Sequence, residues 1–207
     1  MIDGNRSPST ELATRRFLFL LTGSRRDGNS EALARRAAEH LRENSAQRWL
    51  SLLDLDLPPF EDVRHAASGE YPFPDEPGAT LLDATLWATD LVLVAPLYWY
   101  DVPARAKNYL DHWSGWMRVP GIAFQDNMAG KTMWAVTALS DEDYRVAEPL
   151  LGTLRLSAAY MRMGWGGELL GYGNRPGDIL NDAAALEKAT SFFAPAVANR
   201  RLRTASR

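Results

Sequence analysis

The chain has 207 residues, 46% of them hydrophobic and 24% charged, enough apolar material for the continuous core of one α/β domain. Its formal charge of −3 leaves no electrostatic footprint for a nucleic acid, and too little acidity for a disordered chain. The absence of cysteine excludes disulfides, thiolate catalysis and Cys-ligated zinc or iron–sulfur clusters.

Residues 1–15 are polar and read as a flexible leader without the apolar core of a signal peptide. A single domain is expected over residues 16–198. Phe17 to Thr22 is a continuous apolar run ending at Gly23, the pattern of a strand buried on both faces. Asn29 or Ser30 then caps a helix with Leu33, Ala34, Ala37, Ala38 and Leu41 on one face. Trp49 to Leu55 predicts a second strand, ended by Pro58 and Pro59, and Glu61 to Gly78 a long surface loop. Ala79 to Thr89 predicts a short helix, Leu91 to Ala95 a third strand stopped by Pro96, and Ala104 to Trp116 a helix with Pro103 near its first turn. Lys131 to Leu139 predicts the fourth strand. Val146, Leu150, Leu151, Leu154, Ala158 and Met161 trace a helical stripe. Gly167 to Tyr172 completes the strands, Ala183 to Asn199 closes as a helix, and Asn199 to Arg207 is a basic tail.

Strand and helix thus alternate five times. That predicts an α/β three-layer sandwich with a parallel sheet in the order 2-1-3-4-5. Such sheets bind ligands beyond the carboxyl ends of their strands, near the switch point between strands one and three. The loops of interest therefore follow Thr22, Ala95 and Leu139. His40, His65 and His112 are too scattered for a metal centre. No apolar run reaches the roughly 18–20 residues of a membrane span, so a soluble, cytoplasmic protein is expected.

The first loop, Gly23 to Ser30, reads GSRRDGNS. It joins a strand to a helix N-terminus, whose free N–H groups and dipole favour phosphate. Its spacing is near that of a P-loop, but Asn29 stands in the place of the lysine, which disfavours a magnesium triphosphate. A single monophosphate suits the loop best, with side-chain donors from Ser24, Asn29 and Ser30 and charge from an arginine, although a glycine-rich turn without a ligand has the same composition. The second loop holds Tyr98, Trp99 and Tyr100 between Pro96 and Pro103, a stiff aromatic wall suited to a flat ligand. The third, Thr137 to Asp143, offers hydroxyls and amides, or a helix cap at Ser140 or Asp141.

GSRRDGNS, followed by APLYWYDVPARAKNYLDHW and later by GWGGE through GYGNRPGDIL, resembles the flavodoxin-like NAD(P)H-dependent FMN reductase and quinone oxidoreductase family. The likeness spans roughly Phe17 to Phe193. It implies FMN as cofactor, NADPH or NADH as electron donor, a small acceptor (quinone, flavin, azo or nitro compound, or metal ion) and a homodimer. Ser24, Arg26, Asn29 and Ser30 match the family's phosphate positions. Pro96, Leu97, Tyr98, Trp99 and Tyr100 match the loop beside the flavin ring, and Thr137, Ala138, Leu139 and Ser140 the third flavin loop. In that family flavin N5 carries the hydride, so no catalytic side chain is expected. Asp101 replaces a small residue of the family and is expected either to tune the flavin or to cap a helix. Trp113, Trp116 and Met117 are expected either to line the flavin cleft and a partner surface or to pack into the core. Two other functions fit the same fold: a flavodoxin-type electron carrier, and a flavin-free interaction protein.

Overall fold

A computed structural model of the protein describes residues 14–66 and 68–194. Most of the expected leader and tail, residues 1–13 and 195–207, lies outside them. Five strands, β1 (Arg16–Leu21), β2 (Ala46–Ser51), β3 (Asp90–Val94), β4 (Thr132–Leu139) and β5 (Gly164–Tyr172), form one sheet in the order β2-β1-β3-β4-β5. Every pairing is parallel; Phe19, for example, is in register with Trp49 on one side and Val92 on the other. The helices are α1 (Asn29–Ala38), α2 (Gly78–Trp87), α3 (Ala104–Trp116), α4 (Phe124–Met128), α5 (Glu148–Tyr160) and α6 (Ala183–Ala189).

Alternation along each strand divides the core into two layers. Phe17, Phe19, Val92, Val94, Trp134 and Val136 face α1 and α6, meeting Leu33, Ala37, Ala185 and Phe193. Leu18, Leu20, Leu91, Leu93, Met133 and Ala135 face the opposite way, onto Leu81, Tyr109, Phe124, Leu150 and Leu154. Trp113 and Trp116 belong to this second layer. Both are buried, packed edge-on around Tyr109 and Phe124 at centroid distances of 5.5–5.9 Å. Of the two expectations, core packing therefore holds for both, and neither lines a cleft or a partner surface. Their spacing is that of a core stripe.

Several boundaries differ from the sequence expectation. β2 starts at Ala46 and stops at Ser51, where the Asp54 amide turns back to Ser51 O at 3.0 Å. β5 begins at Gly164, because its glycines form a β-bulge: Met133 pairs with Trp165 and Trp134 with Gly167. Gly166 is skipped, and a Cβ there would run into the Trp134 ring. Helix α4 was not expected. The closing helix ends at Ala189, since Phe192 and Phe193 turn back to meet Trp134, each at 5.2 Å. At the amino edge of the sheet, buried Asp90 accepts from Arg15, from Trp134 Nε1 at 3.0 Å and from Thr89 at 2.7 Å. Arg15 also reaches Phe193 O at 3.0 Å, tying β1 to the region after α6. Among the described residues no helix is long and apolar enough to cross a membrane.

Candidate cofactor site

A cavity of about 260 Å³ opens at the carboxyl ends of β1, β3 and β4, the switch point of the sheet. Four segments line it: Gly23, Arg25 and Gly28 to Glu31; Pro96 to Tyr98; Ala138 to Ser140; and Gly173 with Asn174.

The first wall is polar for a local reason. α1 is capped by Gly28, which is extended (φ −75, ψ 162) and brings no side-chain acceptor. The expected caps, Asn29 and Ser30, are instead the first two residues of the helix. The first-turn N–H groups have no intrahelical acceptor, and Gly28 leaves them to the cavity. Ser30 Oγ accepts the Ala138 amide at 2.9 Å, which pins the end of β4 to α1 and leaves its own hydroxyl proton to donate. Glu31, the carboxylate at this wall, accepts the Asp27 amide at 3.2 Å and pairs with Arg35. Pro96, Leu97 and Tyr98 supply an apolar wall, with Pro96 packed beside Gly23.

The two arginines of the first loop separate. Arg25 lines the cavity. Arg26 is exposed and paired with Asp54 beyond β2; the hydrogen bond and charge of that carboxylate raise the guanidinium further above its ordinary value. Of the residues expected here, Asn29, Ser30, Pro96, Leu97, Tyr98, Ala138, Leu139 and Ser140 line the cavity, whereas Ser24, Arg26, Trp99, Tyr100 and Thr137 do not. Asn29 is only 5% exposed, and its amide is bonded to Arg175 O and to the Gly177 amide, both at 2.9 Å. Thr137 is fully buried and, lying between Val136 and Ala138, points into the other layer. Among the described residues its hydroxyl meets no partner.

Tyr98 and Asp101 close a tight turn through two backbone hydrogen bonds, at 3.1 and 3.4 Å. Its corners, Trp99 (φ 50) and Tyr100 (φ 66), are left-handed, a conformation that bulky residues adopt at a cost. Trp99 is 93% exposed and Tyr100 57%, so the aromatics form a rim rather than a wall. Asp101 does not cap α3. Its carboxylate accepts the Val102 amide at 2.7 Å, and the cap residue of α3 is Pro103. Nor does Ser140 or Asp141 cap a helix: Asp143 accepts the Arg145 amide at the head of the short 3-10 turn Tyr144–Ala147.

The sequence singles out Arg26 rather than Arg25 for the phosphate, and it does not point to Gly173 or Asn174. Gly173 and Asn174 follow a strand far in sequence from the first loop. Their sequence signal was the glycine- and proline-rich run GYGNRPG, which marks a built turn.

A parallel sheet with a phosphate-type helix N-terminus facing an apolar wall at its switch point defines a flavodoxin-like protein. The chain belongs to the family described as flavodoxin-like fold, whose profile matches residues 15–191. It is 31% identical over 177 residues, 83% of this chain and 92% of the relative, to a Bacillus subtilis protein provisionally named an NAD(P)H-dependent FMN-containing oxidoreductase. Among solved structures it is similar to the Trp repressor binding protein of Bacillus subtilis, with TM-score 0.69 and 24% identity over 86% of this chain and 98% of that one. It is also similar to an NAD(P)H:quinone oxidoreductase of Methanothermobacter marburgensis, with TM-score 0.67 and 16% identity over 87% of this chain and 96% of that one.

Proposed function

We propose that the protein is an FMN-dependent oxidoreductase that takes electrons from NADPH or NADH and passes them to a small acceptor such as a quinone or an azo compound. The observation that carries this reading is the two-sided cavity. One side offers helix amides, the Ser30 and Ser140 hydroxyls and the Arg25 guanidinium, and the other is the apolar wall Pro96 to Tyr98. An anionic phosphate on a flat heterocycle matches both sides. The curated relative's name supports the same cofactor and donor.

FMN, when bound, supplies the two-electron chemistry. The chain's own residues bind and orient. Arg25 and Ser30 would hold the phosphate, with the Asn29 backbone and the following amides of α1. Pro96 to Tyr98 would lie against the ring, and the Ser140 amide, unlike that of Ala138, which Ser30 Oγ holds, would serve negative charge on its polar edge. Ligand pockets usually measure about 300–1,000 Å³, so a flavin would extend beyond this cavity of about 260 Å³, whose lining residue Tyr98 is followed by exposed Trp99 and Tyr100. There a second flat molecule has an aromatic surface to stack upon.

The surface around that rim supports a homodimer. Thr153 of α5 lies 3.4 Å from Asp101, which brings the turn against α5, where Leu156 and Tyr160 are 75% and 64% exposed. Exposed aromatics in this density mark an interface. The reading implies a cytoplasmic enzyme, because the donor is a cytoplasmic metabolite.

The test is titration of the flavin-free protein with FMN, monitored by quenching of flavin fluorescence, together with light scattering. The reading requires one FMN per chain and a mass of two chains. No binding at micromolar FMN overturns the cofactor; a single-chain mass overturns the dimer.

A further inference from the structure

Asn29 occupies the phosphate-binding loop, yet its side chain serves another part of the molecule. Nδ2 donates to Arg175 O and Oδ1 accepts from the Gly177 amide, each at 2.9 Å. The amide thus bridges two backbone groups of one turn, as a strand neighbour would. The same turn has two other supports. The Gly173 amide donates to Leu139 O at 2.9 Å, and Asp178 accepts the amides of Asn174 and Arg175 at 3.2 and 2.6 Å. Gly177 is left-handed at φ +88, so the turn folds back tightly toward α1. Gly173 lies directly on the Asn29 amide: a Cβ there would sit 2.7 Å from Asn29 Nδ2 and 3.0 Å from the Ile179 amide. Gly173 and Asn174 line the cavity.

We propose that Asn29 is a positioning residue that locks the turn Gly173–Gly177 against α1 and so fixes the fourth wall of the cavity, holding the flavin independently of its phosphate. This rests on the FMN reading above. The chemistry is specific to asparagine. Serine is too short to span two backbone groups, and aspartate has no donor for Arg175 O. Arg25, in contrast, serves the phosphate and no other part of the ligand. The first loop therefore divides its work: charge from Arg25 and shape from Asn29.

The experiment compares FMN with riboflavin, which lacks the phosphate, on the full flavin-free chain by fluorescence titration. Amide hydrogen exchange is followed at residues 173–177. Asn29→Ala is expected to weaken both flavins alike, by roughly tenfold or more for two lost hydrogen bonds, and to speed exchange of the Gly177 amide before any flavin is added. Gly173→Ala, which pushes on the same amide, gives the same pattern. The double variant adds little to either single one, as expected of a shared contact. Arg25→Ala weakens FMN only. If Asn29→Ala fails to fold, Asn29→Asp keeps the acceptor for Gly177 and removes only the donor to Arg175, and the same comparison applies. Loss of FMN binding with riboflavin unchanged makes Asn29 a phosphate ligand and overturns the proposal, as does unchanged exchange at residues 173–177. If the wild-type chain binds neither flavin, the FMN reading falls, while the exchange comparison still decides the role of Asn29.

Discussion

Replacing Tyr100 with glycine is expected to stabilise the fold and impair the site at once. Tyr100 sits at φ 66 in the turn closed by Tyr98 and Asp101, and a left-handed conformation costs a residue with a Cβ about 1–2 kcal/mol. Glycine removes that cost. It also frees the unfolded chain, which offsets about 0.4–1 kcal/mol. The ring is 57% exposed, and among the described residues its hydroxyl makes no hydrogen bond, so little packing is lost. The net gain is about 0–1.6 kcal/mol, a rise in Tm of up to roughly 6 °C for a chain of this size. The same change removes an aromatic face worth about 0.5–1.5 kcal/mol in stacking, or roughly a two- to tenfold rise in KM for the nicotinamide or the acceptor. Thermal unfolding of the flavin-free protein and steady-state kinetics read the two effects. A fall in Tm refutes the strain argument, and an unchanged KM for both substrates refutes the functional use of the rim.

Arg25→Ala should weaken FMN by about 10- to 150-fold, the range for one charge-assisted hydrogen bond, while Arg26→Ala, whose guanidinium is held by Asp54 outside the cavity, should change affinity less than threefold; fluorescence titration separates them. Burial acts to raise the Asp182 carboxyl, but the amides of Tyr172 and Ala185 and the Tyr144 hydroxyl outweigh it and hold it below its ordinary value. Its stabilisation is therefore full above the ordinary carboxylate range and is lost as pH falls through the lowered value. The stability gap between wild type and Asp182→Asn in urea should be widest near pH 6 and shrink toward pH 3; a constant gap contradicts the assignment. Gly166→Ala drives a methyl into the buried Trp134 ring and should cost about 1–3 kcal/mol or more, seen as a lower urea midpoint.

The sheet order was legible because apolar runs of parallel-strand type are strong local signals, and right-handed crossovers leave few orders. Helix α3 was legible to the residue, since Pro103 fixes its start. The start of β5 was not, because its glycines read as a break, and only the Trp134 ring explains them. The roles of Trp113 and Trp116 were hidden for a related reason: helical spacing tells which residues share a face, not whether that face meets core or solvent. At the site, the loops could be found from strand ends alone. Which of two adjacent arginines turns inward depends on Asp54, a residue in another loop. That Asn29 reaches the turn after β5 depends on a contact 146 residues away. Local pattern contains neither fact.

Anaerobic stopped-flow mixing of the FMN-loaded protein with NADPH, and separately with NADH, tests the central claim most directly. The account predicts bleaching of the flavin band by at least one nucleotide, at a rate that saturates as the nucleotide concentration rises, because the donor must first bind against the rim. Absence of reduction by either nucleotide over minutes, with FMN bound and a reductase protein able to reduce it, would contradict the account and make the protein an electron carrier.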